Sequence, residues 1–452
     1  MRVDFINKCL GRDAVRGLFY YFTLPFTGKF INFADDMCFF DSDILRWIDL
    51  NKDNDPDRLR LKHAGDSRLA GAIDHIQAAR KAARKLPSTL ALAPRFAFPS
   101  TLAAEQSTSD ALAAWHASLI EPGERVLDMT CGLGIDAFHL ARRAAEVTAC
   151  ELQPRLAEAA VCNVRELGLA NIRILNTDSV RYLEKTDSTF DVIFIDPARR
   201  GDYGRRLFAL ADCAPDVTAL LPLMFSKART VIIKASPMLD ISHTLSELTG
   251  VDLIAATGTT RECKELLIRC RKDYQGPITV ADVIADESHP DIEPFIFSYL
   301  PGQEAQAEPS YTDNPLPGQY LIEPWAPVMK SAPFRLLSAR FSALKAAPNT
   351  HLYFSDGIID YFPGSFHQIL DVYDFDKRGI RELTRKYTEL NITVRNFSLS
   401  ADDLARRLKI KQGGSLRLFA CTVGSPAYGK SARRLIVTSP SCGPSRACPR
   451  AL

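Results

Sequence analysis

The chain has 452 residues, of which 46% are hydrophobic and 24% charged, and its formal net charge is +2. This length exceeds what one hydrophobic core normally serves, so we expect about two to four domains. The small net charge excludes a uniformly basic surface, and any nucleic-acid affinity must come from local patches. No apolar run reaches membrane-spanning length, and the first residues lack a signal-type apolar core, so a cytoplasmic protein is expected.

Residues 1–95 are predicted to form a mostly helical N-terminal region, because residues 41–50 and 69–85 are amphipathic or alanine-rich. Basic side chains outnumber acids in the second half of this region. Such a cluster is either a solvated helix face or a patch that follows the phosphates of RNA or DNA. Its members are Arg58, Arg60, Lys62, Arg68, Arg80, Lys81, Arg84 and Lys85.

A further helix follows a proline-bounded linker at residues 94–100, with Ser107 or Thr108 as the candidate N-cap. This helix is expected either to pack on the edge of a sheet or to close over a ligand with Gln106 or Ser107 beside it. The eleven cysteines include no Cys-x-x-Cys pair. Their scatter predicts reduced structural thiols and no metal site.

From residue 124, strand and helix patterns alternate, which predicts an α/β fold with a parallel sheet. The last two strands follow each other without a helix, so the seventh strand should run antiparallel in this Rossmann-like sheet. The expected strands are Arg125–Asp128, Glu146–Glu151, Ile172–Asn176, 190–196, Thr230–Ala235, 251–257 and 265–270.

A glycine turn follows the first strand, which ends at Asp128. Gly132 and Gly134 occupy the turn, and an apolar helical pattern begins directly after it. Glycine allows the backbone to approach a ligand closely because it carries no Cβ. A strand, a glycine turn and a helix form the first half of a nucleotide-binding unit, although a turn of this kind can also bind nothing.

Polar residues end the next strands, at the sheet edge where ligands bind in open α/β folds. Glu151 ends the second strand and can accept hydrogen bonds from both hydroxyls of a ribose. Asp178 follows the third strand and is a candidate acceptor for the amine of adenine. Asp196 and Pro197 end the fourth, beside the expected entrance of a second substrate. Each acid alone could be a helix cap, but their order favours one nucleotide ligand.

The order Asp-Met-Thr-Cys-Gly-Leu-Gly, Glu, Asn-Thr-Asp and Asp-Pro resembles the class I S-adenosylmethionine-dependent methyltransferases over residues 102–271. The resemblance implies S-adenosylmethionine as the cofactor. An NAD-binding Rossmann domain is the nearest alternative, because Ala137 fits the third position of its glycine motif. The antiparallel seventh strand disfavours that alternative. The residues expected to contact the cofactor are Asp128, Thr130, Cys131, Gly132, Gly134, Glu151, Asp178 and Asp196.

The stretch Asp196-Pro-Ala-Arg-Arg-Gly resembles the Asp-Pro-Pro-Arg-x-Gly motif of RNA 5-methyluridine methyltransferases, and more loosely that of enzymes that methylate base nitrogens. It departs at Ala198, which replaces the second proline. The 5-methyluridine enzymes need a cysteine nucleophile at the end of strand five, where this chain has Ala235. Methylation of a pyrimidine carbon is therefore disfavoured, and transfer to a nitrogen or oxygen remains.

The expected catalytic residues are Asp196, Pro197 and Lys234. Lys234 is expected to act as a phosphate clamp or a proton acceptor. Arg199 and Arg200 are either further phosphate clamps or partners of local acids such as Asp202.

Beyond residue 271 the chain resembles a bacterial family, best represented in Bacteroidetes, in which a class I methyltransferase domain precedes a small ferredoxin-like unit and a THUMP-like domain. The resemblance rests on Glu262-Cys-Lys-Glu-Leu-Leu, Glu323-Pro-Trp-Ala-Pro-Val-Met-Lys, Phe362-Pro-Gly, Arg395-Asn-Phe and Lys409-Ile-Lys-Gln-Gly-Gly. It departs at Trp325 and Pro327, where a small polar residue and an alanine are expected.

The expected domains are therefore a helical region at 1–95, the methyltransferase domain at 96–272, a β-rich ferredoxin-like unit at 273–330 and a THUMP-like α+β domain at 331–437. A disordered tail is expected at 438–452. THUMP domains bind structured RNA, and basic residues in this domain would supply the contacts, with a solvated face as the alternative. They are Lys377, Arg378, Arg381, Arg385, Lys386, Arg395, Arg406, Arg407, Lys409 and Lys411.

Together these features predict a methyltransferase that acts on a nitrogen or ribose oxygen of RNA, either tRNA or rRNA. The C-terminal domain and the N-terminal helices are expected to bind the RNA. Two alternatives remain open: a non-catalytic RNA-binding protein that keeps the fold, and a methyltransferase with a small-molecule or protein acceptor.

Overall fold

The computed structural model describes residues 39–199, 209–425 and 431–440, and its chain divides into two compact units. The first unit comprises residues up to 259 together with 263–298, and the second comprises 260–262 and the residues from 299 onward. Arg200, the side chain of Arg199 and nearly all of the expected C-terminal tail lie outside the described residues.

The N-terminal region is helical where it is described, and it belongs to the first unit. Its helices are α1 (Ser42–Asn51), α2 (Pro56–Lys62), α3 (Ser67–Ala82) and α4 (Pro87–Leu92). The side chains of Asp41, Asp55 and Asp66 cap the first three helices by accepting N–H groups of the opening turn. Apolar residues from α3 onward join the same core as the sheet that follows, among them Ala78, Leu86, Phe96 and Phe138.

Buried polar contacts also tie this region to the rest of the first unit. Asp110 accepts the backbone N–H of Thr89 at 2.9 Å and lies 3.1 Å from Nε2 of His139. The side chain of Asn163 exchanges two hydrogen bonds with the backbone of Ala97, at 2.6 and 3.1 Å. Buried polar groups are stable only with such partners, so these contacts fix how the helical region packs.

The remaining helices of the first unit are α5 (Thr101–Gln106), α6 (Asp110–Ser118), α7 (Ile135–Ala141), α8 (Pro154–Glu166), α9 (Ser179–Lys185), α10 (Val217–Lys227) and α11 (Ile241–Glu247). Its strands are β1 (Arg125–Asp128), β2 (Glu146–Glu151), β3 (Ile172–Asn176), β4 (Val192–Ile195), β5 (Ala198–Arg199), β6 (Cys213–Ala214), β7 (Thr230–Ala235), β8 (Val251–Gly258), β9 (Cys263–Arg271), β10 (Thr279–Ile284) and β11 (Phe295–Tyr299). Tyr299, the last residue of β11, is counted with the second unit.

The main sheet has nine strands in the order β11-β10-β8-β9-β7-β4-β1-β2-β3. The seven expected strands are all present, and the seventh, β9, pairs antiparallel with both β7 and β8 as expected. The count of seven was too low, because β10 and β11 extend the sheet beyond β8. β10 pairs parallel with β8, and all of its residues are buried.

The structure does not support a separate ferredoxin-like unit at 273–330, because β10 and β11 lie in the main sheet of the first unit. The physical reason is that β8, whose residues are all buried, would otherwise leave unpaired backbone groups at the edge of the sheet. The local pattern of residues 278–284 predicts a strand but does not show which strand it pairs with.

No helix in the described part of the chain is long and apolar enough to cross a membrane.

The second unit is built on one seven-stranded sheet in the order β13-β14-β12-β15-β18-β17-β16. Its strands are β12 (Tyr320–Pro324), β13 (Leu344–Ala347), β14 (Thr350–Ser355), β15 (Gly364–Asp374), β16 (Glu389–Arg395), β17 (Lys411–Val423) and β18 (Ala432–Thr438). Its helices are α12 (Pro301–Gln306), α13 (Ala326–Ser331), α14 (Phe334–Phe341), α15 (Lys377–Lys386) and α16 (Ala401–Leu408). The long strand β15 pairs with β12 on one side and β18 on the other.

Candidate active site

The glycine turn after β1 has a left-handed backbone at both glycines, with φ of 55° at Gly132 and 92° at Gly134. A Cβ on Gly134 would overlap the ring of Phe138, so this glycine packs the turn against its own helix. A Cβ on Gly132 would meet only the carbonyl oxygen of Thr130, at 4.0 Å. The side of the turn at Gly132 is therefore open, which suits the close approach of a ligand.

Glu151, at the end of β2, is bonded directly to this turn. Its Oε2 accepts the N–H of Gly132 at 2.7 Å, and its Oε1 accepts the N–H of Gln153 at 2.8 Å. Each carboxylate oxygen can accept two hydrogen bonds, so each retains acceptor capacity for a ligand. The glycine turn and the acid at the end of β2, which the order of the strands predicts to be neighbours, are therefore in direct contact.

Asp178 is the N-cap of α9. Its Oδ1 accepts the N–H groups of Val180 and Arg181 at 2.9 and 3.2 Å, and the residue is half-buried. The helix-cap interpretation therefore holds for one oxygen. The other oxygen, Oδ2, makes no hydrogen bond with the described residues, so capping does not prevent a contact with a ligand.

Thr130 connects the ends of β1 and β4. Its N–H donates to Oδ1 of Asp128 at 2.9 Å, and its hydroxyl accepts the N–H of Asp196 at 2.6 Å. Asp128 is buried, and this burial, reinforced by Asp136 and Asp196, raises the pKa of Asp128 to about 8. The turn and the Asp196-Pro197 end are consequently held together by one threonine.

Lys234, near the end of β7, reaches across to the neighbouring strand end. Its Nζ donates to Oδ2 of Asp196 at 2.5 Å and to the hydroxyl of Thr108 at 2.9 Å. The side chain of Lys234 is 12% exposed, whereas that of Asp196 is 40% exposed. The carboxylate thus sits at the mouth of the site, with the ammonium behind it.

Lys234 is not suited to accept a proton. Burial alone would lower the pKa of its ammonium, but the carboxylates of Asp196, Asp136 and Glu265 raise it well above its usual range. The contacts therefore favour a cation that binds Asp196 over a proton acceptor, and the catalytic role of Lys234 stays a prediction. The part of the chain that the structure describes contains no cluster of metal-ligating side chains.

A buried polar network lies behind Lys234, and the sequence analysis did not identify it. His116 is fully buried between two carboxylates, with Nδ1 2.8 Å from Oδ1 of Asp136 and Nε2 2.6 Å from Oε1 of Glu265. Thr108 donates to Oδ2 of Asp136 at 2.5 Å, and Thr257 donates to Glu265 at 2.8 Å. His116 is 20 residues from Asp136 and 149 residues from Glu265 along the chain, so no local sequence pattern predicts the network.

The other residues considered from the sequence lie apart from this network. Gln106 and Ser107 are in or directly after α5, where the hydroxyl of Ser107 caps the helix by donating to the carbonyl of Ala104 at 2.9 Å. Thr108, the next residue, is the one that reaches Lys234. The backbone of Arg199 pairs with that of Cys213 in a two-stranded ladder.

Most of the basic residues of the N-terminal region have partners within the first unit. Arg60 pairs with Asp57 and Asp74, Arg68 with Asp41, and Lys81 with Glu105. Arg80 donates to backbone carbonyls of Lys52 and Asn54, and Lys85 to those of Ala104 and Glu105. Arg58, Lys62 and Arg84 are exposed and make no ion pair with the described residues. These contacts favour the solvated-face interpretation for most of this cluster.

The basic residues of the second unit divide in the same way. Arg378, Lys386, Arg395 and Arg406 pair with acids, and Arg407 lies over the ring of Phe375. Lys377, Arg381 and Arg385 are exposed at intervals of four residues along α15, which places them on one face of the helix. Lys409 and Lys411 are exposed as well, and the N–H of Lys411 donates to the carbonyl of Thr388, two residues beyond α15. We call these five residues the basic face.

Three family descriptions match the chain in succession. Residues 126–199 match a methyltransferase domain, residues 320–363 a ferredoxin-like domain and residues 364–440 a THUMP domain-like family. A crystal structure of a protein from Porphyromonas gingivalis W83, assigned as a methyltransferase, is similar over 88% of this chain and 99% of its own length. The TM-score is 0.75 and the sequence identity 28%.

Curated relatives match only part of the chain. The 23S rRNA (uracil(1939)-C(5))-methyltransferase of Alkalilimnicola ehrlichii is 39% identical over 87 residues, which cover 19% of this chain and 20% of the relative. The enzyme of the same description from Pectobacterium carotovorum is 30% identical over 178 residues, which cover 38% of this chain and 37% of the relative. The matches thus span well under half the length of these relatives.

The fold and the matched families agree: the chain carries a methyltransferase domain followed by a ferredoxin-like domain and a THUMP-like domain. This confirms the predicted resemblance and the predicted fold class. The ferredoxin-like match at 320–363 begins where β12 begins, well beyond the start at 273 that the sequence suggested.

Proposed function

We propose that this protein is an S-adenosylmethionine-dependent methyltransferase that transfers a methyl group to a nitrogen or ribose oxygen of RNA. The observation that carries the proposal is the adjacency of two features at one sheet edge. One is an open glycine turn held by Glu151, and the other is the partly exposed carboxylate of Asp196 on the strand next to β1. A methyl donor and a methyl acceptor need neighbouring sites of this kind.

The residues around the turn fit the cofactor. The free acceptor capacity of Glu151 suits the two hydroxyls of a ribose, and Oδ2 of Asp178 suits the amine of an adenine. Gly132 leaves room for the methionine part, with Asp128, Thr130 and Cys131 around it. Bound S-adenosylmethionine would supply a methyl group activated by a positively charged sulfur.

The residues at the acceptor side favour a nitrogen or an oxygen over a carbon. The curated relatives act on C5 of a uracil, a reaction that the sequence resemblance associates with a cysteine at the end of strand five. Here that position is Ala235, and the strand ends instead with Lys234 bound to Asp196. Burial raises the pKa of the Cys131 thiol well above its usual value and that of Cys150 to about 12, so neither supplies a thiolate.

Asp196 would orient the acceptor, since a carboxylate accepts hydrogen bonds from an amino or hydroxyl group. Alignment and electrostatics supply most of the rate of such a direct transfer, and no strong base is needed. Pro197, buried directly after Asp196, restricts the backbone at this point. The THUMP-like domain and the basic face support RNA as the acceptor.

The direct test is transfer from isotopically labelled S-adenosylmethionine to RNA taken from cells that lack the gene. The RNA would then be digested, and its labelled nucleosides would be separated and identified by mass spectrometry. A labelled N-methylated or 2′-O-methylated nucleoside supports the proposal. Labelled 5-methyluridine would overturn the acceptor assignment, and cofactor binding without any labelled product would favour a non-catalytic RNA-binding protein.

A further inference from the structure

The links of the buried network between Asp136, Thr108, Lys234 and Asp196 have a defined hydrogen-bond direction. A threonine hydroxyl carries one hydrogen, and Thr108 donates it to Oδ2 of Asp136 at 2.5 Å. Its contact with Nζ of Lys234 at 2.9 Å must then be one in which Lys234 donates. Lys234 donates a second hydrogen to Oδ2 of Asp196. The same Nζ also lies 3.6 Å from Oδ2 of Asp136, and two carboxylates around one nitrogen favour the ammonium form of Lys234.

The far end of the network has a defined charge as well. His116 has no exposed surface, and each of its ring nitrogens lies within hydrogen-bond distance of a different carboxylate, Asp136 or Glu265. Only the imidazolium form can donate to both. These charges raise the pKa of His116 to about 9 although burial opposes them, and they hold the pKa of Asp136 well below its usual range.

The network thus contains two cations, Lys234 and His116, and three carboxylates, Asp136, Glu265 and Asp196. Only Asp196 among these is substantially exposed, at 40% of its side chain. Its Oδ2 is occupied by Lys234, whereas its Oδ1 makes no hydrogen bond with any described residue. Asp196 therefore keeps a carboxylate oxygen available at the end of an otherwise closed chain of contacts.

We propose that Thr108, Asp136 and His116 are positioning residues that hold Lys234 as an ammonium against Oδ2 of Asp196, so that Asp196 presents Oδ1 to a methyl acceptor that carries an N–H or O–H group. This inference rests on the proposed methyltransferase function and narrows its substrate class. The acceptor atom, or the group to which it belongs, must carry a hydrogen that Oδ1 can bind.

The inference makes a prediction about pH, because Lys234 must not lose its proton. The charged groups that face Lys234 are Asp196 after β4, Asp136 on α7 and Glu265 on β9. Asp128 at the end of β1 and Lys85 after α3 interact with it electrostatically at longer range. The three carboxylates oppose the effect of burial, so the rate constant of the wild-type protein should show no alkaline loss below about pH 9, where His116 also keeps its proton.

The test compares kcat, KM and pH profiles of the full-length wild type, Thr108→Val and Asp136→Asn, with Thr108→Ser as the rescue variant and Thr244→Val as the control. Thr244 is also a buried threonine, but it lies on α11, which contributes no residue to this network. Thr108→Val should lower kcat about tenfold, as expected for one hydrogen bond to a charged group, with KM for S-adenosylmethionine unchanged. Thr108→Ser should recover most of that loss.

Asp136→Asn should bring the alkaline loss of activity down into the measured pH range, because it removes a carboxylate that holds the lysine proton. Thermal melts establish that each variant is folded. The pH profile of the wild type tests the inference even if a variant does not fold. A loss of wild-type activity that sets in with rising pH below about pH 9 would overturn it.

Three further results for Thr108→Val would also overturn the inference. The first is a kcat and a pH profile equal to those of the wild type, and the second is a lower melting temperature with unchanged kcat. The third is a loss of S-adenosylmethionine binding, measured by calorimetry. The last result would assign the network to the cofactor site. The proposed function fails in a different way, namely when the wild type itself binds the cofactor but transfers no methyl group.

Discussion

The carboxylate of Glu151 accepts the backbone N–H of Gly132 at 2.7 Å, across 19 residues of sequence. This bond joins the end of β2 to the turn after β1 and orients the same carboxylate that we propose binds the ribose. Glu151 is therefore expected to act twice in cofactor binding, by shaping the turn and by contacting the ligand.

Glu151→Ala should weaken S-adenosylmethionine binding by about 1–3 kcal/mol, as expected when a charged hydrogen-bond partner is lost. Isothermal titration calorimetry measures this directly. Glu158→Ala is the matched control, because Glu158 is an exposed acid on α8 with no contact to the turn. Equal affinities for wild type and Glu151→Ala would remove the ribose assignment.

Asp196→Ala should abolish methyl transfer while the cofactor dissociation constant stays within a few-fold of wild type. The physical reason is that Asp196 contacts the cofactor-side turn only through its backbone N–H, which the substitution retains. Labelled-methyl transfer and calorimetry are measured on the same preparation. If cofactor binding disappears instead, Asp196 belongs to the cofactor site and not to the acceptor site.

Replacement of Lys377, Arg381 and Arg385 by glutamine should reduce the salt dependence of RNA binding. Each phosphate contact contributes a slope of about 0.7–0.9 in a plot of log affinity against log salt, so the slope should fall by about 2–3. The matched control replaces Arg58, Lys62 and Arg84, three exposed cations of the N-terminal region. If the slope falls only in the control variant, the N-terminal region and not the basic face contacts the RNA.

The free energy of unfolding of the second unit should fall in acid, because His367 is buried in its neutral form. It is 1% exposed, neither ring nitrogen has a hydrogen-bond partner among the described residues, and burial lowers its pKa to about 4. The unfolded chain, with a histidine pKa near 6.5, takes up the proton first as the pH falls. The stability is therefore complete above about pH 6.5 and declines by roughly 3 kcal/mol between pH 6.5 and 4.

Scanning calorimetry between pH 7.5 and 4.5 tests this expectation on the full chain. His367→Leu should flatten the pH dependence of one unfolding transition, since the buried ring no longer has to remain neutral. His289→Ala is the control, because His289 is exposed in the first unit. An unchanged acid dependence in His367→Leu would show that other groups cause the loss.

Much of the first unit could be predicted from the sequence because its signals are local. The bounds of β1, β2, β3 and β7 agree with the expected ones, since each is a short apolar run that ends at polar or glycine residues. Parallel strands bring their carboxyl ends to one edge, and this rule alone predicted that Gly132, Glu151 and Asp196 would be neighbours. Whether they bind the cofactor stays a prediction.

Other features were decided only by the tertiary structure, because they depend on partners far apart in the chain. His116 and Glu265 are 149 residues apart, and each reads locally as an ordinary helix or strand residue. The same holds for β10, whose place in the first sheet depends on the edge of β8, and for Arg68 and Lys81, which pair with acids 27 and 24 residues away. Local patterns determine which elements form and where they end, whereas the pairing of strand edges and the satisfaction of buried charges depend on how those elements pack.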